Sequence, residues 1–151
     1  MNTRFRQAFG LCLLTMGLSS LQTLAKADGS YTIIDLGTLG GTLSHGQSIN
    51  ASGQVAGYST TTGNSARYAF RSSANGSPLI LTDLGALGGG TTSIGHAINA
   101  GGEVAGSADV VGDFRAFRSS ANGSPLSLTN LGTFGGTNSA GIEFLDRIYK
   151  N

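Results

Sequence analysis

The phrase "DLGTLGG" at Asp35 to Gly41 returns as "DLGALGG" at Asp83 to Gly89 and as "NLGTFGG" at Asn130 to Gly136, at spacings of 48 and 47 residues. Two further phrases recur between these marks. "INASGQVAG" (Ile49 to Gly57) returns as "INAGGEVAG" (Ile98 to Gly106), and "AFRSSANGSPL" (Ala69 to Leu79) returns unchanged at Ala116 to Leu126. A period of 40 to 50 residues describes a chain built from copies of one supersecondary unit, none of which buries its apolar face alone. The fold must therefore be an array.

Each unit reads as four short strands parted by turn chemistry. A stretch ending at Asn50 meets a turn at Ser52-Gly53, and a strand follows over Gln54 to Ser59. A polar loop, Thr60 to Ala66, leads to a strand at Tyr68 to Arg71. Asn75-Gly76 is a hairpin signal because both residues tolerate positive φ, and it returns the chain into Pro78 to Leu84. The second unit has Asn99, Gly102, Asn122 and Gly123 at the matching places. The expected fold is all-β: tandem four-stranded antiparallel meanders in a β-propeller-like partial array, with a β-sandwich of the two meanders as the alternative. Val55, Phe70, Leu79 and Leu81, with Val104, Phe117 and Leu126, are the expected core. Ala56 and Gly57, and Gly106 in the second unit, suit a crowded inner strand.

The glycine phrase has two readings. As a phosphate loop it lacks the G-x-G-x-x-G spacing, a lysine after the glycines and a following helix. As a joint it fits: Gly37, Gly40 and Gly41, like Gly85, Gly88 and Gly89, permit the positive φ of a sharp crossing, with Asp35 and Asp83 opening the phrase.

The N-terminus differs in kind. Arg4 and Arg6 precede an apolar run from Ala8 to Leu18, and Ala25-Lys26-Ala27 forms a small-x-small site, the pattern of an export signal cut before Asp28. A spanning helix needs about 20 apolar residues, and Ser19, Ser20, Gln22 and Thr23 end this run early. The only cysteine, Cys12, lies inside the segment, so the processed chain has no disulfide or thiol chemistry. It keeps six basic and eight acidic residues, a net charge of −2, which offers little to a phosphate backbone. The organisation expected is a signal peptide at 1–27, an orphan fourth strand of a preceding unit at 28–36, repeat 1 at 37–84, repeat 2 at 85–131, and a partial repeat 3 with a divergent tail at 132–151.

At these phrases the chain resembles the HAF-repeat extracellular proteins of bacteria, whose repeat carries an "IN..G.V.G" phrase, a His-Ala-Phe phrase and a "DLGTLGG" phrase in that order. The first is Ile49-Asn50 with Gly53, Val55 and Gly57, and the last is Asp35 to Gly41. The naming phrase stands as Tyr68-Ala69-Phe70 and Arg115-Ala116-Phe117, its histidine replaced in both copies. The likeness runs from Tyr31 to Ile142. It implies an exported, propeller-like repeat protein and assigns no catalytic or ligand-binding residue.

Candidates for chemistry are few. His45 and His96 both precede the "IN" phrase but out of register, which favours variable surface positions over a duplicated metal or catalytic site. No Gly-x-Ser-x-Gly elbow occurs. Asp109 and Asp113 flank Val110-Val111-Gly112 without the alternating acids of a calcium loop. Arg71 and Arg118 alternate away from the core phenylalanines, toward a polar ligand or a structural partner. No catalytic, cofactor or metal residue is nominated. The expected protein is secreted, extracellular or periplasmic, with no membrane span after signal removal, a non-enzymatic binding or structural module. Its partner is a protein or a polysaccharide, not nucleic acid, with a homo-oligomer open. The alternatives are an extracellular propeller-type hydrolase or lyase, and a degenerate fragment without activity.

Overall fold

The computed structural model describes residues 31–75 and 77–141, and its compact body begins at Ile34. The expected signal peptide 1–27, the turn glycine Gly76 and the tail from 142 onward lie outside the described residues.

Eight strands follow in chain order: β1 (Gly40–Ile49), β2 (Val55–Thr61), β3 (Arg67–Ser72), β4 (Leu81–Gly85), β5 (Ser93–Ile98), β6 (Val104–Val110), β7 (Asp113–Ser119) and β8 (Leu128–Asn130). They form two four-stranded sheets in sequential order, β1-β2-β3-β4 and β5-β6-β7-β8. Every ladder is antiparallel. The chain is thus all-β, two meanders with no closed barrel.

Register repeats between the sheets as well as order. Gly57 faces Phe70 across β2 and β3, and Gly106 faces Phe117 across β6 and β7. A shift interrupts β1–β2 between Gly46 and Ser48 and β5–β6 between Gly95 and Ala97. Such a bulge adds a residue to one strand and sharpens its twist.

The sheets pack face to face, with β5 lying against β1, β2 and β3. Ala56, Ala69 and Leu84 from the first sheet, with Leu87 just after it, meet Ile98, Val104, Ala108 and Phe117 of the second in one buried cluster. Small residues in each layer beside branched or aromatic ones let the layers approach and interdigitate. Phe70 is fully buried outside this cluster. It follows Ala69 in β3 and so points to the other side of its sheet.

Crowding at Gly57 has two sources. A Cβ there would lie 1.9 Å from the His45 carbonyl oxygen, and Gly95 of the facing sheet stands against the Gly57 backbone. β2 is an interior strand of its sheet, so its lack of side chain serves the approach of β1 and β5.

Three expectations are corrected. Leu79 and Leu126 are 44% and 49% exposed rather than core, because the fourth strands begin later than Pro78, at Leu81 and Leu128. The Asn-Gly turn is not a two-residue hairpin: β3 ends at Ser72, β4 begins at Leu81, and the bond from Ser73 N to the Ile80 carbonyl closes a wider loop. Positive φ in the second copy falls on Gly123, not on Asn122. Lastly, Gly41 keeps an ordinary φ while Gly37 and Gly40 are positive.

Candidate functional site

The recurrent phrase has one local geometry in all three copies. The Asp35, Asp83 and Asn130 side-chain oxygens accept the N–H of Gly37 (2.9 Å), Gly85 (2.7 Å) and Gly132 (2.8 Å). This is an Asx turn, in which the side chain mimics a backbone turn two residues on. Asp and Asn interchange here because only the oxygen is used. The threonines of the first and third copies add a second clasp, Thr38 to the Gly41 carbonyl and Thr133 to that of Gly136. The donors and acceptors of the phrase are thus turned inward on the chain itself.

A polar seam joins the two sheets. The fully buried Ser93 hydroxyl accepts the Ala69 N–H at 2.7 Å and donates to the Gly85 carbonyl at 2.5 Å. Arg67 N bonds the Thr91 carbonyl nearby. Arg71 Nη1 donates to the carbonyls of Gly102 and Ser120 in the second sheet. Burial lowers the pKa of that guanidinium. A buried cation directed at carbonyls answers a structural demand, above all at Gly102, since the Ser120 carbonyl also accepts the Ser119 hydroxyl.

The turn asparagines complete the seam. Asn50 Oδ1 accepts the N–H groups of Ser52 and Gln54, and its Nδ2 donates to the Asn99 carbonyl of the second sheet at 2.9 Å. Gln54 and Asn122 exchange two amide bonds, of 3.2 and 2.9 Å. Asn75 and Asn122 donate their backbone N–H to the Ser52 and Gly101 carbonyls, tying each β3–β4 type loop to the preceding turn. Asn99 caps its own turn through Glu103 N. Gly53 and Gly102 hold positive φ, as turn glycines can without strain.

Two side-chain clusters that include a histidine stand outside this seam. His45 and Tyr58 are cross-strand partners whose rings stack at 5.3 Å and 8°, and the Arg67 guanidinium lies 5.1 Å from the Tyr58 ring centre. Arg67 Nε is buried without a hydrogen-bond partner. His45 itself is exposed. In the second sheet His96 Nε2 and Ser107 Oγ are 3.2 Å apart, and burial lowers the pKa of His96. Sequence reasoning missed both pairings, because each joins residues on adjacent strands whose register had to be known first.

The His96–Ser107 pair has the first link of a nucleophile but not its surroundings. Ser107 is buried, and among the described residues no carboxylate is hydrogen-bonded to the His96 ring. The surface depressions lie elsewhere: one of about 220 Å³ is lined by Ile34, Leu36, Ile49, Val55, Leu79 and the Ser72–Asn75 loop. Asp109 and Asp113 sit in strands rather than in a loop. Asp109 accepts the Thr92 N–H at 2.7 Å, and Asp113 pairs with Arg115 at 3.3 Å. Among the described residues no three His, Asp or Glu side chains converge as metal ligands, and no helix is long and apolar enough to cross a membrane.

Compared with protein-family models, with curated proteins and with solved structures, the chain matches none of them.

Proposed function

We propose that this chain is an exported β-repeat protein of the HAF-repeat type, acting outside the cytoplasm as a non-enzymatic binding module that presents one recognition patch on a stiff stack of meanders. The observation that carries the binding role is the His45–Tyr58–Arg67 stack. Most polar features recur in both sheets, as joints must. This stack does not: Ile94, Ser107 and Phe114 hold the corresponding places in the second sheet. An exposed imidazole backed by a phenol and a cation offers a flat amphipathic surface, the chemistry that grips a ring with polar edges. A polysaccharide, and an acidic one in particular, suits such a patch.

The export reading rests on the N-terminal residues alone. Retention on immobilised acidic and neutral polysaccharides tests the binding role. The acidic matrix should retain the protein, and Tyr58→Ala together with His45→Ala should release it at least tenfold more readily. Equal passage of both forms through every matrix would refute the polysaccharide reading. Retention that survives both substitutions would place binding elsewhere.

A further inference from the structure

Corresponding positions of the two sheets sit in different surroundings, the first-sheet member being the more exposed at the isoleucine and the second-sheet member at the leucines and the arginine. Ile98 is 8% exposed and Ile49 67%. Leu84 and Leu87 are buried, while Leu131 is half exposed and Phe134 wholly so. Arg71 crosses to carbonyls of the second sheet, but Arg118, in the identical phrase, is 51% exposed with only Glu103 at 3.7 Å. Among the described residues no further sheet packs on the outer face of the first sheet or on that of the second.

The segment following β8 covers part of that second outer face. Asn138 Oδ1 accepts the Phe114 N–H, Ser139 N bonds the Phe114 carbonyl, and Ser139 Oγ accepts the Ala116 N–H at 2.8 Å. Gly141 bonds the Gly106 carbonyl and rests on that glycine as Gly95 rests on Gly57. The Ser139–Ala116 bond and the approach of Gly141 to Gly106 match those that Ser93 and Gly95 make between the sheets. The stretch "DLGTLGGTLSHG" (35–46) aligns without a gap to "NLGTFGGTNSAG" (130–141), so Ser44 and Gly46 match Ser139 and Gly141. Gly46 is exposed, and only Val55 of its own sheet stands within contact of a Cβ placed there.

We propose that copies of this chain associate head to tail, strand β1 of one copy taking, on the outer face of its neighbour's second sheet, the seat that residues 137–141 hold within a single chain. The occupant is a second copy because both halves of the contact are present in one molecule. Ser44 of the second copy replaces Ser139 on Ala116 N, and its Gly46 replaces Gly141 on Gly106. Arg118 reaches the second copy's Gly53 and Ser73 carbonyls, as Arg71 reaches those of Gly102 and Ser120. A contact between unlike faces repeats from copy to copy, into a ring where the rotation closes and into a filament where it does not. The tethered segment competes at an effective concentration on the order of millimolar, so the chain caps itself when dilute. The proposal rests on reading the sheets as copies of one unit and is independent of any polysaccharide.

The test is light scattering of the protein as recovered from an exporting host, over a wide concentration range. Ile49→Glu spoils the first face and Arg118→Glu the second, each at an exposed side chain. The parent protein should gain mass with concentration, and Gly141→Val, which displaces the cap from Gly106, should lower the concentration needed at least tenfold. Each single variant should remain monomeric, while an equimolar mixture of Ile49→Glu and Arg118→Glu, each with one intact face, should form 1:1 dimers and nothing larger. A parent and a Gly141→Val protein that both stay monomeric would overturn the proposal, as would single variants that still associate or a mixture that does not pair. Unequal melting of Arg71→Ala and Arg118→Ala tests the seam within one chain separately, so a failed assembly leaves the seam standing.

Discussion

Arg71 and Arg118 occupy the same place in an identical eleven-residue phrase, which makes them an internal control for the seam. Arg71 is 8% exposed and donates to two carbonyls of the facing sheet. Each hydrogen bond from a charged group is worth about 1.5–3 kcal/mol. Removing the side chain also takes the side-chain donor from the Gly102 carbonyl, while the Ser120 carbonyl keeps the Ser119 hydroxyl. Against this stands the desolvation of a guanidinium with no carboxylate partner, which costs several kcal/mol and is relieved when the charge is removed. The balance for Arg71→Ala is a loss of about 3 kcal/mol, toward the lower end of what breaking a buried charged interaction costs. Arg118 has one solvent-exposed pairing with Glu103, and such pairs contribute about 0–1 kcal/mol. For a domain between the small and large classes roughly 3–6 °C accompanies each kcal/mol, so Arg71→Ala should lower the melting temperature by roughly 10–20 °C and Arg118→Ala by about 6 °C at most. Thermal and urea denaturation at concentrations where the chain is monomeric measure both. Equal shifts, or an Arg71→Met protein as stable as the parent, would refute the claim that this cation stitches the sheets together.

Other perturbations follow from the same geometry. Ser93→Ala removes a fully buried hydroxyl that serves both Ala69 N and the Gly85 carbonyl, and should cost about 1–3 kcal/mol in denaturant titration, while Ser139→Ala at the more open equivalent costs less. Val111 holds φ of +51° at an exposed turn beside Gly112; the left-handed conformation strains a β-branched residue by about 1–2 kcal/mol, so Val111→Gly should raise the melting temperature. Gly57→Ala would set a Cβ 1.9 Å from the His45 carbonyl oxygen, and loss of cooperative unfolding by circular dichroism is expected. Burial lowers the pKa of His96 in the folded state, so the unfolded chain binds its proton more readily. That contribution is whole above the ordinary value of 6.5 and is lost as pH falls below it toward the folded pKa. His96→Gln should flatten this part of the stability profile.

The meander order was legible because turn residues and apolar phrases alternate at short range, and Phe70, Phe117 and Val104 are buried as their patterns imply. Leu79 and Leu126 were misplaced because a proline-led stretch resembles a strand start, whereas the ladder resumes only at Leu81 and Leu128. The arginines mark a harder boundary. Identical neighbours surround Arg71 and Arg118, yet one is buried and the other open; the cause is the layer beyond each sheet, which no local window contains. The Asx turns explain why Asp35, Asp83 and Asn130 open the glycine phrase, a role that needs a side-chain oxygen two residues before an amide. His45–Tyr58 and His96–Ser107 depended on cross-strand register. Within His45–Tyr58–Arg67, the candidate patch, only His45 had drawn attention from sequence, and as a variable turn residue.

Residue-resolved amide hydrogen exchange tests most directly whether two meanders make one body through a polar seam. The Ala69 N–H is bonded to the hydroxyl of Ser93 in the other sheet, so its protection reports on the seam itself. The account predicts that Ala69 exchanges only through global unfolding, alongside Val104, which bonds Ser119 Oγ within its own sheet. Rapid exchange at Ala69 beside a protected Val104 would mean that the sheets fold without binding each other, and would contradict the account.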